Sequence, residues 1–178
     1  MPKALVEFRG ERLVDRGIRL LHDGGCHPVV VVLGAATAQV RGAVAVCNPL
    51  WHSGMGSSLR VGLAALSDDV ERVVIALVDQ PFIGPQVVER LIGAARDGAS
   101  IAVATYGGAP RNPVLIGREH FAEVAELATG DVGARPFLRA HPELVVEVPC
   151  DDVGDPSDVD TPADLSALRA TEARPGPR

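Results

Sequence analysis

Two patterns of apolar residues alternate along this chain. Short uninterrupted runs rich in valine and isoleucine, such as residues 29–33 and 73–78, predict strands buried on both faces of a parallel sheet, because alternation with polar residues is needed only where one face meets water. Longer stretches in which apolar residues recur every three or four positions predict amphipathic helices. Their repeated alternation predicts an α/β protein with a mostly parallel sheet.

Turn-forming and capping residues mark where these elements begin and end. Helices are predicted to end at Gly24 and Gly98, and a helix is predicted to start at Thr161. The predicted elements are helices over 13–21, around Val40, over 59–66, 87–95 and 121–127, near 137–138 and after Thr161-Pro162, and strands over 29–33, 43–47, 72–79, 101–105, 114–116 (one that could run antiparallel) and 144–148. No repeat divides them, so we predict one domain over residues 1–170 and a frayed tail over 171–178.

Composition narrows the classes of function. The 178 residues carry a formal net charge of −6, which argues against a surface for duplex nucleic acid but leaves small anionic ligands open. The longest apolar stretch, residues 28–36, is too short to span a membrane, and the start lacks a secretory pattern, so we expect the cytoplasm and no membrane partner. Three cysteines far apart predict neither disulfides nor a zinc site.

Asp79 directly follows the apolar run that ends at Val78. Ligands of open α/β sheets bind at the carboxyl ends of the strands, so an acid at that edge is a candidate metal ligand. The alternative is structural, because Pro81 and Gly84 follow and an aspartate in such a loop often caps a turn or a helix.

A glycine- and serine-rich segment, residues 48–58, leads from a predicted strand into a predicted helix. Its glycines allow a ligand to approach closely, and Ser57 or Ser58 at the helix start would leave backbone N–H groups free to face a nucleotide. The segment matches neither the Walker loop nor the dinucleotide fingerprint, so a plain glycine turn with a serine cap is the alternative.

Two further loops are expected at the same edge of the sheet. Residues 151–160 hold five carboxylates, whose repulsion is relieved by solvent or by a cation. Asp79 with Asp158 or Asp160 could therefore hold magnesium, which takes one or two carboxylates together with phosphates and water. Residues 130–135 offer turn glycines and Arg135, which is either a phosphate ligand or an ordinary surface residue.

Five segments, in chain order, resemble the MobA-like nucleotidyltransferases, most closely their molybdenum-cofactor cytidylyltransferase branch. They are Pro2-Lys3-Ala4-Leu5, Gly54-Met55-Gly56-Ser57-Ser58-Leu59, Val78-Asp79-Gln80-Pro81, Gly130-Asp131-Val132-Gly133-Ala134-Arg135 and Asp158-Val159-Asp160-Thr161-Pro162. The resemblance implies a Rossmann-like three-layer α/β/α fold and transfer of a nucleotidyl group from a nucleoside triphosphate with release of pyrophosphate. The Gly-Met-Gly-Ser-Ser and Asp-Gln-Pro motifs are similar to the cytidylyl branch, which implies CTP and molybdopterin as substrates.

The resemblance also implies roles for single residues. It implies that Lys3 and Asp79 are catalytic, and that Asn112 and Arg135 face the acceptor. Asn112 lies where the branch often has Gly-His-Pro. The implied nucleotide-binding residues are Lys3, Gly54, Met55, Gly56, Ser57 and Ser58. The implied magnesium ligands are Asp79, Asp158 and Asp160.

Members of this family open with an apolar strand and a Leu-Ala-Ala-Gly-like loop before Pro-Lys-Ala-Leu, which here lies at residues 2–5. We therefore expect a truncated or misassigned start that lacks this first strand, and reading the in-frame DNA upstream of Met1 tests that expectation. Two alternative functions remain. One is another small-molecule nucleotidyltransferase on the same scaffold, and the other is a non-catalytic module that holds molybdopterin or docks onto a molybdenum hydroxylase.

Overall fold

The computed structural model describes residues 3–34 and 38–159. Helices and strands alternate along most of this length, as the sequence predicts. The helices are α1 (Leu13–Asp23), α2 (Met55–Ala64), α3 (Pro85–Arg96), α4 (Phe121–Leu127) and α5 (Arg135–Ala140). The strands are β1 (Glu7–Phe8), β2 (Glu11–Arg12), β3 (Val30–Leu33), β4 (Val44–Cys47), β5 (Arg72–Ile75), β6 (Ile101–Tyr106), β7 (Ala109–Gly117) and β8 (Val145–Pro149).

The strands form three separate sheets. β1 and β2 form a small hairpin, β3 and β4 form a parallel two-stranded sheet, and the remaining strands form a four-stranded sheet in the order β5-β7-β6-β8. β7 runs antiparallel to both β5 and β6, whereas β6 and β8 are parallel. The α/β fold class is confirmed, but the described strands pair in a mixed rather than a mostly parallel arrangement. The reason is that the antiparallel strand predicted over 114–116 extends over nine residues as β7 and pairs with both β5 and β6.

β6 is the centre of the main core. All six of its residues are buried, because β7 and β8 flank its edges and helices cover both faces. Ala102, Ala104 and Tyr106 pack against α3, while Ile101 and Val103 pack against α4 and α5. A strand covered on both faces needs no polar alternation, which explains the continuous apolar sequence and gives the predicted three layers.

The two-stranded sheet lies against α1 and α2. Val14 and Ile18 of α1 pack in one cluster with Val29 and Val31, and α2 approaches Val32 closely at Gly62. α1 also contributes Leu20 to the core of the four-stranded sheet. α1 therefore packs against the two-stranded sheet and against α3, which covers one face of the four-stranded sheet.

Three predictions of elements need correction. Residues 38–43 form no helix, because the Gln39 carbonyl accepts a hydrogen bond from Arg12 at 2.9 Å and Val40 packs against the α1 cluster. The strand predicted to end at Asp79 ends at Ile75. β3 and β5 are half-buried rather than fully buried, since each pairs along a single edge within residues 3–34 and 38–159.

The predicted final helix and tail lie outside the described residues, so the domain limits stay predictions. Within the part of the chain that the structure describes, no helix has the length and apolar character needed to cross a lipid bilayer.

Candidate active site

Asp79 lies in a turn four residues beyond the end of β5, at a position fixed by two contacts. Its carboxylate Oδ2 accepts a hydrogen bond from Lys3 Nζ at 2.9 Å, and its carbonyl accepts one from the Val159 amide at 2.8 Å. The Asp79 side chain is 19% exposed. The structure thus brings together the two residues predicted to be catalytic, Lys3 and Asp79.

Arg16 of α1 contacts the turn that follows Asp79. Its guanidinium donates to the Pro81 carbonyl at 2.9 Å and to Glu11 at 3.3 Å, and it lies 5.1 Å from the centre of the Phe8 ring. Burial lowers the pKa of Arg16, yet a guanidinium stays charged in proteins. A half-buried cation with these partners fixes the path of the chain after Asp79.

An acidic segment over residues 154–159, called here the acidic strip, runs alongside the turn that holds Asp79. Ile83 and Gly154 form a β-bridge, and Gln80 Nε2 donates to the Asp158 carboxylate at 2.9 Å and to the Pro156 carbonyl at 3.1 Å. Asp158 is therefore held beside Gln80, on the segment that pairs with the Asp79 carbonyl. Asp160, the other predicted ligand, lies outside the described residues.

The donor set of the acidic strip and the Asp79 turn fits a hard divalent cation. Asp79 and Asp158 offer carboxylate oxygens, and Gln80, which is 6% exposed, has a buried side-chain oxygen with no partner among residues 3–34 and 38–159. No three histidine, cysteine or acidic side chains cluster in a metal-binding arrangement in that portion of the chain. Magnesium needs only one or two carboxylates when phosphates complete its shell.

A buried polar junction shapes the glycine segment. Asn48, 1% exposed at the end of β4, donates through Nδ2 to the Ser57 and Ser58 hydroxyls at 2.8 and 3.0 Å, and its Oδ1 accepts from the Leu50 amide at 2.9 Å. Ser57 in turn donates to the Gly54 and Leu50 carbonyls. Asn48 was not among the predicted site residues, although an asparagine directly after an apolar strand is a visible signal.

The loop over 128–133 docks onto the start of α2. Gly56 N–H donates to the Gly130 carbonyl at 2.7 Å, and Met55 N–H donates to the Asp131 carboxylate at 3.2 Å. Gly54 has φ +106° and lies so close to the Gly130 backbone that no Cβ fits between them. α2 thus begins at Met55 rather than at the predicted Ser57 or Ser58, and the amides of its first two residues donate to protein acceptors.

The two predicted acceptor residues, Asn112 and Arg135, lie on β7 and α5. Asn112 lies in an irregularity of β7, where the pairing with β6 shifts between Val103 and Ala104. Arg135 is exposed at the first position of α5. In the described ranges neither residue forms a hydrogen bond or ion pair with Asp79.

This arrangement agrees with the result of a comparison with protein families. A model of the MobA-like NTP transferase domain matches residues 1–145. The chain belongs to this family. The matched range includes Lys3, Asp79 and both docked loops, while Asp158 lies beyond it.

Relatives of this MobA-like protein carry differing names. Nicotine blue oxidoreductase of Paenarthrobacter nicotinovorans is 40% identical over 173 residues, which cover 90% of this chain and 84% of that protein. A probable molybdenum cofactor guanylyltransferase of Opitutus terrae is 31% identical over 108 residues, covering 60% of this chain and 54% of that protein. The crystal structure of Rv0371c from Mycobacterium tuberculosis in complex with manganese has a TM-score of 0.78 and 27% identity, and covers 94% of this chain and 91% of that one.

Proposed function

We propose that this protein transfers a nucleotidyl group from a nucleoside triphosphate to a small phosphate-bearing molecule and releases pyrophosphate. One observation carries the proposal. Asp79 is held between the Lys3 ammonium, 2.9 Å away, and the acidic strip, which carries Asp158. A cation paired with one carboxylate, next to a segment that carries a second carboxylate, suits a triphosphate and the divalent ion that accompanies it.

The chemistry asks the chain for positioning and charge balance rather than for a nucleophile. A phosphate oxygen of the acceptor forms a bond to the α-phosphorus, while the bond from that phosphorus to the bridging oxygen breaks and pyrophosphate leaves with the electron pair. Lys3 would offset charge on the triphosphate oxygens. A divalent ion held by Asp79 and Asp158 would supply further charge neutralisation, and the manganese complex of Rv0371c supports such an ion.

CTP and molybdopterin are the first pair of substrates to test, since the motif resemblance implies them. The relatives' names favour a broader search, because the one that is 40% identical is not named for molybdenum cofactor. We therefore propose the reaction type for this chain and treat the acceptor as a small molecule to be identified among phosphomonoesters.

Pyrophosphate release tests the proposal directly. ATP, GTP, CTP and UTP are each offered with molybdopterin and with simple phosphomonoesters, with and without Mg²⁺ or Mn²⁺. We expect metal-dependent release with one triphosphate, and a loss of at least about 100-fold in kcat/KM for Asp79→Asn, because charge stabilisation at a reacting phosphate is worth several kcal/mol. Asp97→Asn, an exposed acid after α3, is the matched control and should keep full activity.

Three results would contradict the proposal. One is full activity of Asp79→Asn with its fold intact by circular dichroism. Another is release that is independent of any divalent ion. The third is nucleotide or molybdopterin binding by calorimetry with no turnover for any pair, which would favour the non-catalytic binding module.

Oxidation–reduction is a second candidate, favoured by the 40% identity to nicotine blue oxidoreductase over 90% of the chain. Incubation with nicotine blue and a reduced nicotinamide dinucleotide, followed by absorbance, tests it. Consumption of the dinucleotide that depends on the dye would support this reaction in place of nucleotidyl transfer, and its absence would contradict it.

A further inference from the structure

Exposed apolar side chains gather at one place on this protein. Within residues 3–34 and 38–159, six large apolar residues are substantially exposed, and they are Val44, Leu50, Trp51, Met55, Val132 and Val146. Four of them lie on the two loops that meet where Gly56 binds Gly130. We name Leu50, Trp51, Met55 and Val132 the apolar rim.

The rim is held rigidly rather than frayed. The Gly54 amide donates to the Trp51 carbonyl at 3.2 Å, and Ser53 Oγ donates to the Leu50 carbonyl at 2.7 Å. The Trp51 side chain lies so close to Gly34, just after β3, that a Cβ there would clash. The Trp51 indole lies near Gly34, and the His52 ring is edge-on to it with the ring centres 6.2 Å apart, yet the residue is 49% exposed. A group of exposed apolar side chains, unlike a single one, marks a binding surface.

The position of the rim connects it with the proposed site. Trp51 lies against the carboxyl end of β3, and Val78, next to Asp79, packs in the same cluster as Val31 of that strand. Trp51 therefore lies at the carboxyl end of β3, and the Asp79 turn follows the carboxyl end of β5. The carboxyl ends of strands are where α/β proteins bind ligands.

We propose that Trp51 is a stacking platform for the planar heteroaromatic ring of a substrate, with Met55 and Val132 at its border. An indole offers a broad π face that attracts flat rings and tolerates their identity. Trp51 is 49% exposed and Met55 and Val132 are each 40% exposed, so a ring can reach them without any movement of the loops. The proposal rests on the proposed function in one respect, since it names the substrate part that this site would hold.

A single observation makes the test unusually direct. Trp51 is the only tryptophan in the sequence, so its fluorescence reports on this position alone. The probes are the four nucleoside triphosphates with Mg²⁺, phosphate-free pterin, and tripolyphosphate as the ring-free control. We expect saturable quenching by a ring-bearing probe and none by tripolyphosphate. Quenching by triphosphates alone assigns the ring to the nucleobase, whereas quenching by pterin assigns it to the acceptor.

Variants measured by calorimetry complete the test. Trp51→Leu should bind the quenching probe at least about fivefold more weakly, because stacking on an aromatic side chain is worth roughly that much, and Trp51→Phe should recover part of the loss. Val146→Ala, an exposed apolar residue on β8, is the matched control and should bind as the wild type does.

Four results would overturn the platform. They are the absence of quenching by every ring-bearing probe, equal quenching by tripolyphosphate, equal affinity of Trp51→Leu, and a fluorescence change with protein concentration alone that tracks dimer formation in sedimentation. The last result would mean that a second copy covers the rim. Pyrophosphate release without quenching of Trp51 would reject the platform and leave the proposed function standing. Quenching without pyrophosphate release for any substrate pair would support the platform and contradict the proposed function.

Discussion

β6 and β3 have similar apolar sequences and different surroundings. Every residue of β6 is buried, with Ile101, Ala102 and Ala104 at 0% exposure, whereas every residue of β3 is only half-buried and its partner β4 is mostly exposed. β6 has a strand on each edge and helices on each face, while β3 pairs with β4 alone in the ranges that the structure describes. How deeply a strand is buried here depends on how many strands and helices surround it. The apolar sequence of the strand alone does not reveal that number.

The candidate site combines loops from these two regions. The glycine segment follows β4 of the two-stranded sheet, while the docking loop over 128–133 follows α4, which packs on the four-stranded sheet. A well-buried region and a less buried one therefore each supply one side of the junction at Gly56 and Gly130. Local stability is expected to follow the same division, since regions with few buried apolar contacts open first.

Cysteine labelling should show the largest difference between the regions. Cys47 of β4 is exposed, Cys150 after β8 is buried, and burial raises the pKa of Cys26 to about 11 from its ordinary value near 9. With a thiol reagent at pH 8 we expect Cys47 to react first and Cys26 about a hundredfold more slowly, because the thiolate is the reactive form. Mass spectrometry of timed samples measures this order. Equal rates at Cys47 and Cys150 would contradict the difference in burial.

A matched pair of valine substitutions tests the same comparison in the core. Val103→Ala in β6 removes a side chain that is 2% exposed and should lower the free energy of unfolding by about 2 kcal/mol. Val32→Ala in half-buried β3 should lower it by about 1 kcal/mol, because less apolar surface leaves the interior. Urea denaturation followed by Trp51 fluorescence gives both values. A larger loss for Val32→Ala would reverse the ranking.

Asn48 sharpens the comparison, because it is a fully buried polar group at the end of mostly exposed β4. Asn48→Ala leaves the Leu50 amide without its acceptor and should lower the free energy of unfolding by about 1.5 kcal/mol. Ser53→Ala removes an exposed hydroxyl that donates to the Leu50 carbonyl and serves as the control. Denaturation midpoints measure both variants, and a neutral Asn48→Ala would show that the junction contributes nothing to stability.

The smallest change in stability is expected from a substitution of His141, near the surface of the four-stranded region. Hydrogen bonding to Glu123 at 2.8 Å raises the pKa of His141. A raised pKa stabilises the fold fully below the unfolded value, near 6.5, and this stabilisation is lost as pH rises through the folded value. His141→Gln should therefore lower the melting temperature more at pH 6 than at pH 8, by a small amount because the pair is exposed. An equal decrease at both pH values would exclude the contribution of the charged pair.

The sequence predicted well those features that local signals encode. α1 ends at Gly24 where the glycine pair predicted it, and α3 ends before Gly98. The convergence of the 54–58 and 130–135 segments was also foreseen, because both were expected at one edge of the sheet. The ion pair between Lys3 and Asp79 was not predicted, although both residues were predicted to be catalytic. The predicted features depend on residues close to one another in the chain or on a recognised pattern.

The remaining features depend on partners that a single sequence does not reveal. Val40 has an alanine-rich surrounding typical of a helix, yet Arg12 binds the adjacent Gln39 carbonyl, and residues 38–40 have no regular secondary structure. The helix predicted to start at Ser57 or Ser58 starts at Met55. The acceptors of the Met55 and Gly56 amides, Asp131 and Gly130, lie more than seventy positions away along the chain. The hairpin of β1 and β2 escaped detection since each strand has two residues, too few for any periodicity.

The contact between Gly54 and Gly130 has a consequence for how relatives of this protein can diverge. The gap between these two backbones admits no side chain, so neither loop can change shape without the other. Changes of length or of glycine content in one loop should therefore be accompanied by changes in the second, and evolutionary drift at this site would proceed by paired steps. Directed evolution that randomises both loops together should accordingly recover folded variants that single-loop libraries miss.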